Sequence, residues 1–104
     1  MKTDEYMSYD ATALAELVAA KKVTAAELLT AARDRMRQVN GRLNAVVATT
    51  DRDADAQTAG PLDGPFAGVP FLLKDLLQEM KGHPTSCGSK ALANDVEVDD
   101  DELA

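Results

Sequence analysis

The feature that most constrains this chain is a short apolar run, Val69-Pro70-Phe71-Leu72-Leu73. Gly64-Pro65-Phe66-Ala67-Gly68 precedes it and Lys74-Asp75 closes it. A continuous run of that length between turn signals predicts a strand covered on both faces, as in an α/β sheet. Such a strand needs neighbours to satisfy its backbone and bury its side chains. Pro70 has no N–H to donate, so it belongs in the strand's first residues or where no ladder bond is required.

The rest of the chain supplies helices more clearly than strands. Asp10 is a good N-cap, and Leu14, Leu17 and Val18 follow on one face. Lys21-Lys22 stands where a helix C-terminus favours cations. Thr24-Ala25-Ala26-Glu27 reads as a capping box opening a second helix, with Leu28, Ala32, Arg35/Met36 and Val39 on one stripe. Asn40-Gly41 is expected to end it. Together these predict a helical hairpin over 10–41. Leu43 to Thr50 is rich in β-branched residues and predicts a short strand. Asp51 to Ala59 begins with acids and is rich in Ala, which predicts a third helix. The expected class is α/β: one unit over 1–104, with the start of an α/β core over 42–104.

Composition narrows the function. Hydrophobic residues make up 45% of the 104, but Trp is absent and there are two Phe and two Tyr. A core must rest on Leu, Val, Ala and Met. The formal charge of −7 argues against nucleic acid and anionic membranes as partners, because both call for clustered Lys and Arg. The N-terminus carries no apolar stretch behind its charges, and the single cysteine, Cys87, forms no internal disulfide or Cys-based zinc set. The chain is read as cytoplasmic, with no cofactor and no metal. Asp51, Asp53 and Asp55 imitate the opening of a calcium loop, but Ala56 and Leu62 stand where that loop needs Gly and Glu. The acidic run Glu97, Asp99, Asp100, Asp101, Glu102 reads as a solvated surface segment. His83, between Gly and Pro, reads as an exposed loop residue.

Lys74 is the candidate for chemistry. A lysine at a strand end is commonly solvated, its stem packed and its ammonium in water. Held instead in a cleft, it would lose part of its hydration. The neutral amine would then be favoured and could serve as a base. Asp75 opposes this if its carboxylate reaches the ammonium, although adjacent strand residues face opposite ways.

The segment Gly64-Pro65-Phe66-Ala67-Gly68-Val69-Pro70-Phe71-Leu72-Leu73-Lys74-Asp75-Leu76 resembles the part of amidase signature enzymes that carries their catalytic lysine. Pro84-Thr85-Ser86-Cys87-Gly88-Ser89 resembles the loop that follows it in that family. Val23–Leu28 and Arg42–Val47 resemble the family's N-terminal helices and first strand, so the likeness runs from about Asp10 to about Ala93. The resemblance implies a mixed sheet flanked by helices, of which this chain holds the opening part. It also implies a Ser–cis-Ser–Lys hydrolase of carboxamides that works through an acyl-enzyme, with Lys74 as the proton acceptor. Both serines of that mechanism sit in a Gly/Ser-rich segment downstream of the lysine. No Ser-Ser-Gly-Gly run occurs here. Thr85, Ser86, Gly88 and Ser89 are expected near the site without supplying the attacking oxygen; for Ser86 and Ser89 the plainer role is turn bonding and capping.

The implied partners are a small-molecule amide and either the remainder of an amidase chain or a second copy. The wording Phe-Leu-Leu-Lys-Asp-Leu is closer to free-standing amidases than to the amidotransferases that work on charged tRNA. The alternatives are a non-catalytic binding or assembly module derived from an amidase, and a fragment of an amidotransferase subunit acting on charged tRNA.

Overall fold

The computed structural model of the chain describes residues 1–101. Four α-helices are formed: α1 (Thr3–Met7), α2 (Ala11–Ala19), α3 (Ala25–Leu43) and α4 (Asp51–Ala59). A single 3-10 turn, Lys90–Leu92, follows much later. The chain divides into two compact units, the first Met1–Pro70 and the second beginning at Phe71.

In the first unit the caps act as the sequence dictates. The Asp10 carboxylate accepts from the Ala13 N–H at 2.8 Å and starts α2. Thr24 Oγ1 accepts from the Glu27 N–H at 3.1 Å, while the Glu27 carboxylate accepts from the Thr24 N–H at 3.4 Å. The capping box is therefore complete. Helix α2 closes through two bonds, Lys21 N–H to the Val18 carbonyl and Lys22 N–H to the Leu17 carbonyl, both 3.0 Å. Lys21 takes the left-handed conformation at φ 57°, which completes a Schellman stop without glycine.

One boundary differs from expectation. Asn40-Gly41 does not end α3, which runs on to Leu43 and stops at Asn44, left-handed at φ 49°. The Asn40 side chain is used elsewhere: Oδ1 accepts from the Val46 N–H and Nδ2 donates to the Val46 carbonyl, each at 2.9 Å. It thereby ties the chain leaving α3 back onto the helix. Asn44 takes over the stop, donating to the Asn40 carbonyl at 2.7 Å.

The core is small. Leu14 and Leu28, with Val23 in the link between their helices, are buried together, and Met1, Tyr6, Leu17, Val18 and Val69 pack partly against them. Leu28 has no exposed surface, and burying such a side chain contributes roughly 1.5–3 kcal/mol. Helix α1, which the sequence pattern did not suggest, packs on α3; burial raises the Tyr6 phenol above its ordinary value. Helix α4 also packs on α3. Arg33 of α3 reaches Asp51 at 2.8 Å and Asp55 at 2.7 Å, one turn apart on α4. The Asp55 hydrogen bond raises the guanidinium above its already high value; desolvation opposes it, and the Asp51 and Asp55 charges add to the rise. Two of the acids that imitated a calcium loop are thus bound to an arginine.

Gly68 joins the Gly/Pro-rich segment to this core. It sits at φ +85°, and a Cβ there would lie 2.9 Å from Val18 Cγ1 and 3.2 Å from Ala25 Cβ. Only glycine gives both the conformation and the clearance.

The two expected strands, 43–50 and 69–73, do not form, and there is no strand among the described residues. The apolar run is divided instead: Val69 packs against the helical core, whereas Phe71 and Leu72 are 69% and 70% exposed. A strand gains its hydrogen bonds from neighbours, and the described residues provide no ladder beside either segment. The first 101 residues are therefore a helical unit followed by an irregular one.

Candidate functional site

The second unit is held by hydrogen bonds more than by burial. Among the described residues its one ladder contact is the isolated antiparallel bridge between Pro84 and Val96, supported by Gly82 N–H to the Glu97 carbonyl at 2.9 Å and Glu97 N–H to the His83 carbonyl at 3.0 Å. The acidic run is part of this framework and not merely solvated. The Asp100 carboxylate accepts from the Lys81 N–H at 2.8 Å, and Asp101 accepts from the Glu79 N–H at 2.9 Å. Asp101 also donates its own N–H to the Glu79 carbonyl at 3.0 Å. Glu102, the last acid of that run, lies outside the described residues.

Lys74 stands exposed at the start of a turn over 75–77. Its backbone N–H donates to Gln78 Oε1 at 2.6 Å. Leu77, in the same turn, takes φ +63°, a conformation costing a non-glycine residue on the order of 1 kcal/mol. Among the described residues the Lys74 ammonium forms no ion pair. Asp75 does not oppose it by pairing with it, because the Asp75 side chain is engaged elsewhere.

That engagement is with Ser86. Asp75 Oδ1 accepts from the Ser86 N–H at 2.8 Å, and Oδ2 accepts a short hydrogen bond from the Ser86 hydroxyl. The Asp75 carbonyl accepts from the Cys87 N–H at 3.0 Å. The Ser86 hydroxyl, and then its amide, hold the Asp75 carboxyl below its ordinary range, against a small opposing effect of desolvation.

The loop residues singled out in the sequence fall together. Thr85 is buried at 8% exposure, the one polar residue so placed among those described. Ser86-Cys87-Gly88-Ser89 is a turn closed by Ser89 N–H to the Ser86 carbonyl at 2.8 Å. Its central residues have φ +52° at Cys87 and +74° at Gly88. Ser89 Oγ accepts from the Ala91 N–H at 3.2 Å and caps the 3-10 turn. The structure brings Ser86 to Asp75, the residue after Lys74. It records no hydrogen bond among the described residues from the Lys74 ammonium to Ser86 or Ser89. Sequence reasoning weighed Asp75 only as a partner for Lys74. Its carboxylate spacing from Ser86, eleven residues across a turn-rich segment, gave no local signal of the pairing.

A family model for amidases matches residues 27–104. The chain belongs to the amidase family. Among curated relatives of this amidase-family chain, a glutamyl-tRNA(Gln) amidotransferase subunit from Dechloromonas aromatica is 42% identical over 85 residues, covering 74% of this chain and 17% of the relative. The same-named subunit from Desulforudis audaxviator is 38% identical over 97 residues, covering 83% and 19%. The 6-aminohexanoate-cyclic-dimer hydrolase of Pseudomonas sp. strain NK87 is 39% identical over 83 residues, covering 80% and 17%. The chain thus spans less than a fifth of the length of these relatives. No solved structure matches it. The match encloses Lys74, Asp75 and the 84–89 loop. Among the described residues no group of His, Cys, Asp and Glu is arranged to hold a metal ion, and no helix is long and apolar enough to cross a membrane.

Proposed function

We propose that this chain supplies the lysine-bearing part of an enzyme that breaks carboxamide bonds, with Lys74 as the general base. The observation that carries the reading is the Gly64–Leu76 segment inside the family match, followed by a loop tied to the residue beside the lysine. In the relay that the family resemblance implies, a neutral lysine takes a proton through a bridging serine. The nucleophilic serine then attacks the amide carbon, the amine leaves, and water releases the acyl group. A neutral amine at working pH calls for burial, and the described residues leave Lys74 exposed. The reading requires a cover over Lys74, two serines in a Gly/Ser-rich segment and a mixed α/β sheet, none of which is found among the described residues. A hydrolase and an amidotransferase component stand among the relatives at similar identity, so the proposal is set at the amide-cleavage step, in a free-standing amidase or in part of an amidotransferase.

The test is a chimera. Residues 1–104 replace the matching N-terminal segment of the 6-aminohexanoate-cyclic-dimer hydrolase, and hydrolysis of the cyclic dimer is followed. We expect activity that falls about 10²–10⁴-fold in Lys74→Met, the range for losing a general base. A folded, active chimera indifferent to Lys74→Met sinks the reading. The isolated chain, without the serines, is expected to be inactive; Lys74-dependent hydrolysis by it would show that the relay is not needed.

The exposure of Phe71, Leu72 and Leu77 favours a second reading, a non-catalytic assembly module whose apolar segment is covered by another polypeptide. Sedimentation of the chain across concentration checks it. A monomer that melts cooperatively at every concentration counts against this reading.

A further inference from the structure

We propose that Asp75 is a positioning residue: it fastens the 85–89 turn to the Lys74 segment, so that this loop is delivered beside the base. The inference deepens the amidase reading and rests on it. Asp75 is covalently next to Lys74, so whatever its carboxylate grips is held within a short span of the lysine's own backbone. It grips Ser86 twice, through the amide at 2.8 Å and through the hydroxyl. Its carbonyl adds the Cys87 amide at 3.0 Å. Three donors from two consecutive residues thus converge on one residue of the lysine segment. The turn they hold has successive positive φ values, free for Gly88 but disfavoured for Cys87, and the clasp helps to hold it. Thr85, the residue before the clasp, is buried, which carries the same register one residue further.

Charge and geometry make the pair specific. An aspartate offers two acceptor oxygens and no donor, matching the two Ser86 donors. An asparagine keeps one acceptor and turns an NH₂ toward the other donor, so Asp75→Asn removes half of the grip without changing side-chain size. Ser86→Ala removes the hydroxyl bond alone, and Ser86→Thr keeps it. The role assigned to Asp75 is exercised through the loop and requires no contact with substrate.

Two measurements test it. In the 104-residue chain, amide hydrogen exchange at Ser86 should quicken about tenfold in Asp75→Asn, as for loss of a hydrogen bond to a charged group. Leu28 in α3 serves as the internal control and should be unmoved. In the chimera, Asp75→Asn and Ser86→Ala should each lower kcat/KM about tenfold, the double variant should be no worse than either alone, and Ser86→Thr should recover most of the loss. A Ser86 amide that exchanges alike in both forms overturns the proposal, as does a Ser86→Thr variant as damaged as Ser86→Ala. The two readings fail separately. If the chimera is indifferent to Lys74→Met while Asp75→Asn still frees Ser86, the amidase reading falls and the clasp stands. If Lys74 matters and Ser86 is not freed, only the clasp falls.

Discussion

The two units of this chain are stabilised by different means. From Met1 to Pro70 the structure rests on helices with formed caps and an apolar cluster around Leu14, Val23 and Leu28. From Phe71 onward the described residues contain one 3-10 turn, one isolated bridge and a set of hydrogen bonds in which carboxylates accept from backbone amides. The apolar side chains of that second region, Phe71, Leu72, Leu77 and Val98, are exposed. A helix satisfies its own backbone, so a short chain can complete one; a buried strand depends on neighbours. The region that carries the candidate chemistry is the one whose large apolar side chains lie exposed.

The largest effect should come from removing the centre of the first region. Leu28→Ala takes a fully buried side chain from a thin core and should cost about 2–5 kcal/mol. Helical circular dichroism should melt well below the parent. The contrast predicts that Ser86 keeps its amide protection as the helices loosen; if it is lost in step, the regions unfold as one and the contrast breaks.

Next in size is Gly68→Ala. The positive φ and the 2.9 Å approach to Val18 Cγ1 together should cost about 1–3 kcal/mol. A thermal melt measures the loss. Against a Val18→Ala background, Gly68→Ala should cost less by the share due to the Val18 approach, leaving the share due to φ and to Ala25.

Thr24→Ala should cost about 1 kcal/mol by breaking the capping box. That box was legible in the sequence, as were the Asp10 cap and all of α4, because each depends on residues within one turn of one another. What could not be read locally is equally specific. Asn40 looked like a helix stop, yet its amide is drawn to Val46 and Asn44 does the stopping. The acids at 100 and 101 looked merely solvated, yet they accept from amides about twenty residues upstream. The strand expected over 69–73 rested on a pattern whose meaning requires partners. For the site, the sequence marked Lys74 and the 84–89 loop through family resemblance. The pairing of Asp75 with Ser86 joins positions eleven residues apart and has no periodic signature.

Arg33→Ala tests a smaller contribution. Its partners Asp51 and Asp55 are more than half exposed, so water screens the pairs and the loss should be about 0.2–1 kcal/mol. The difference between parent and variant should shrink as salt is raised, since ionic strength screens exposed charges. A melt series in salt reads this directly.

The smallest effect on overall stability, and the sharpest contrast, concerns acid. Asp75 is held by neutral donors of Ser86, so salt should leave its clasp in place while Arg33 responds. Protonation should release it. The folded carboxyl lies below its ordinary value because the Ser86 hydroxyl and amide favour the charged form. The stability it adds is therefore present above the unfolded value, about 3.9. It declines as pH falls past that value and is gone once pH passes the lower folded one. The Asp75 carboxyl carbon, followed by NMR, should titrate below the ordinary aspartate range, and the Ser86 amide should shift with it. In Ser86→Ala the midpoint should move up, since the largest cause of the depression has been removed. A midpoint unchanged by that substitution would mean that the second region is not held at Asp75. The difference between an apolar unit and a carboxylate-tied one would then need another anchor, such as Asp100 or Asp101.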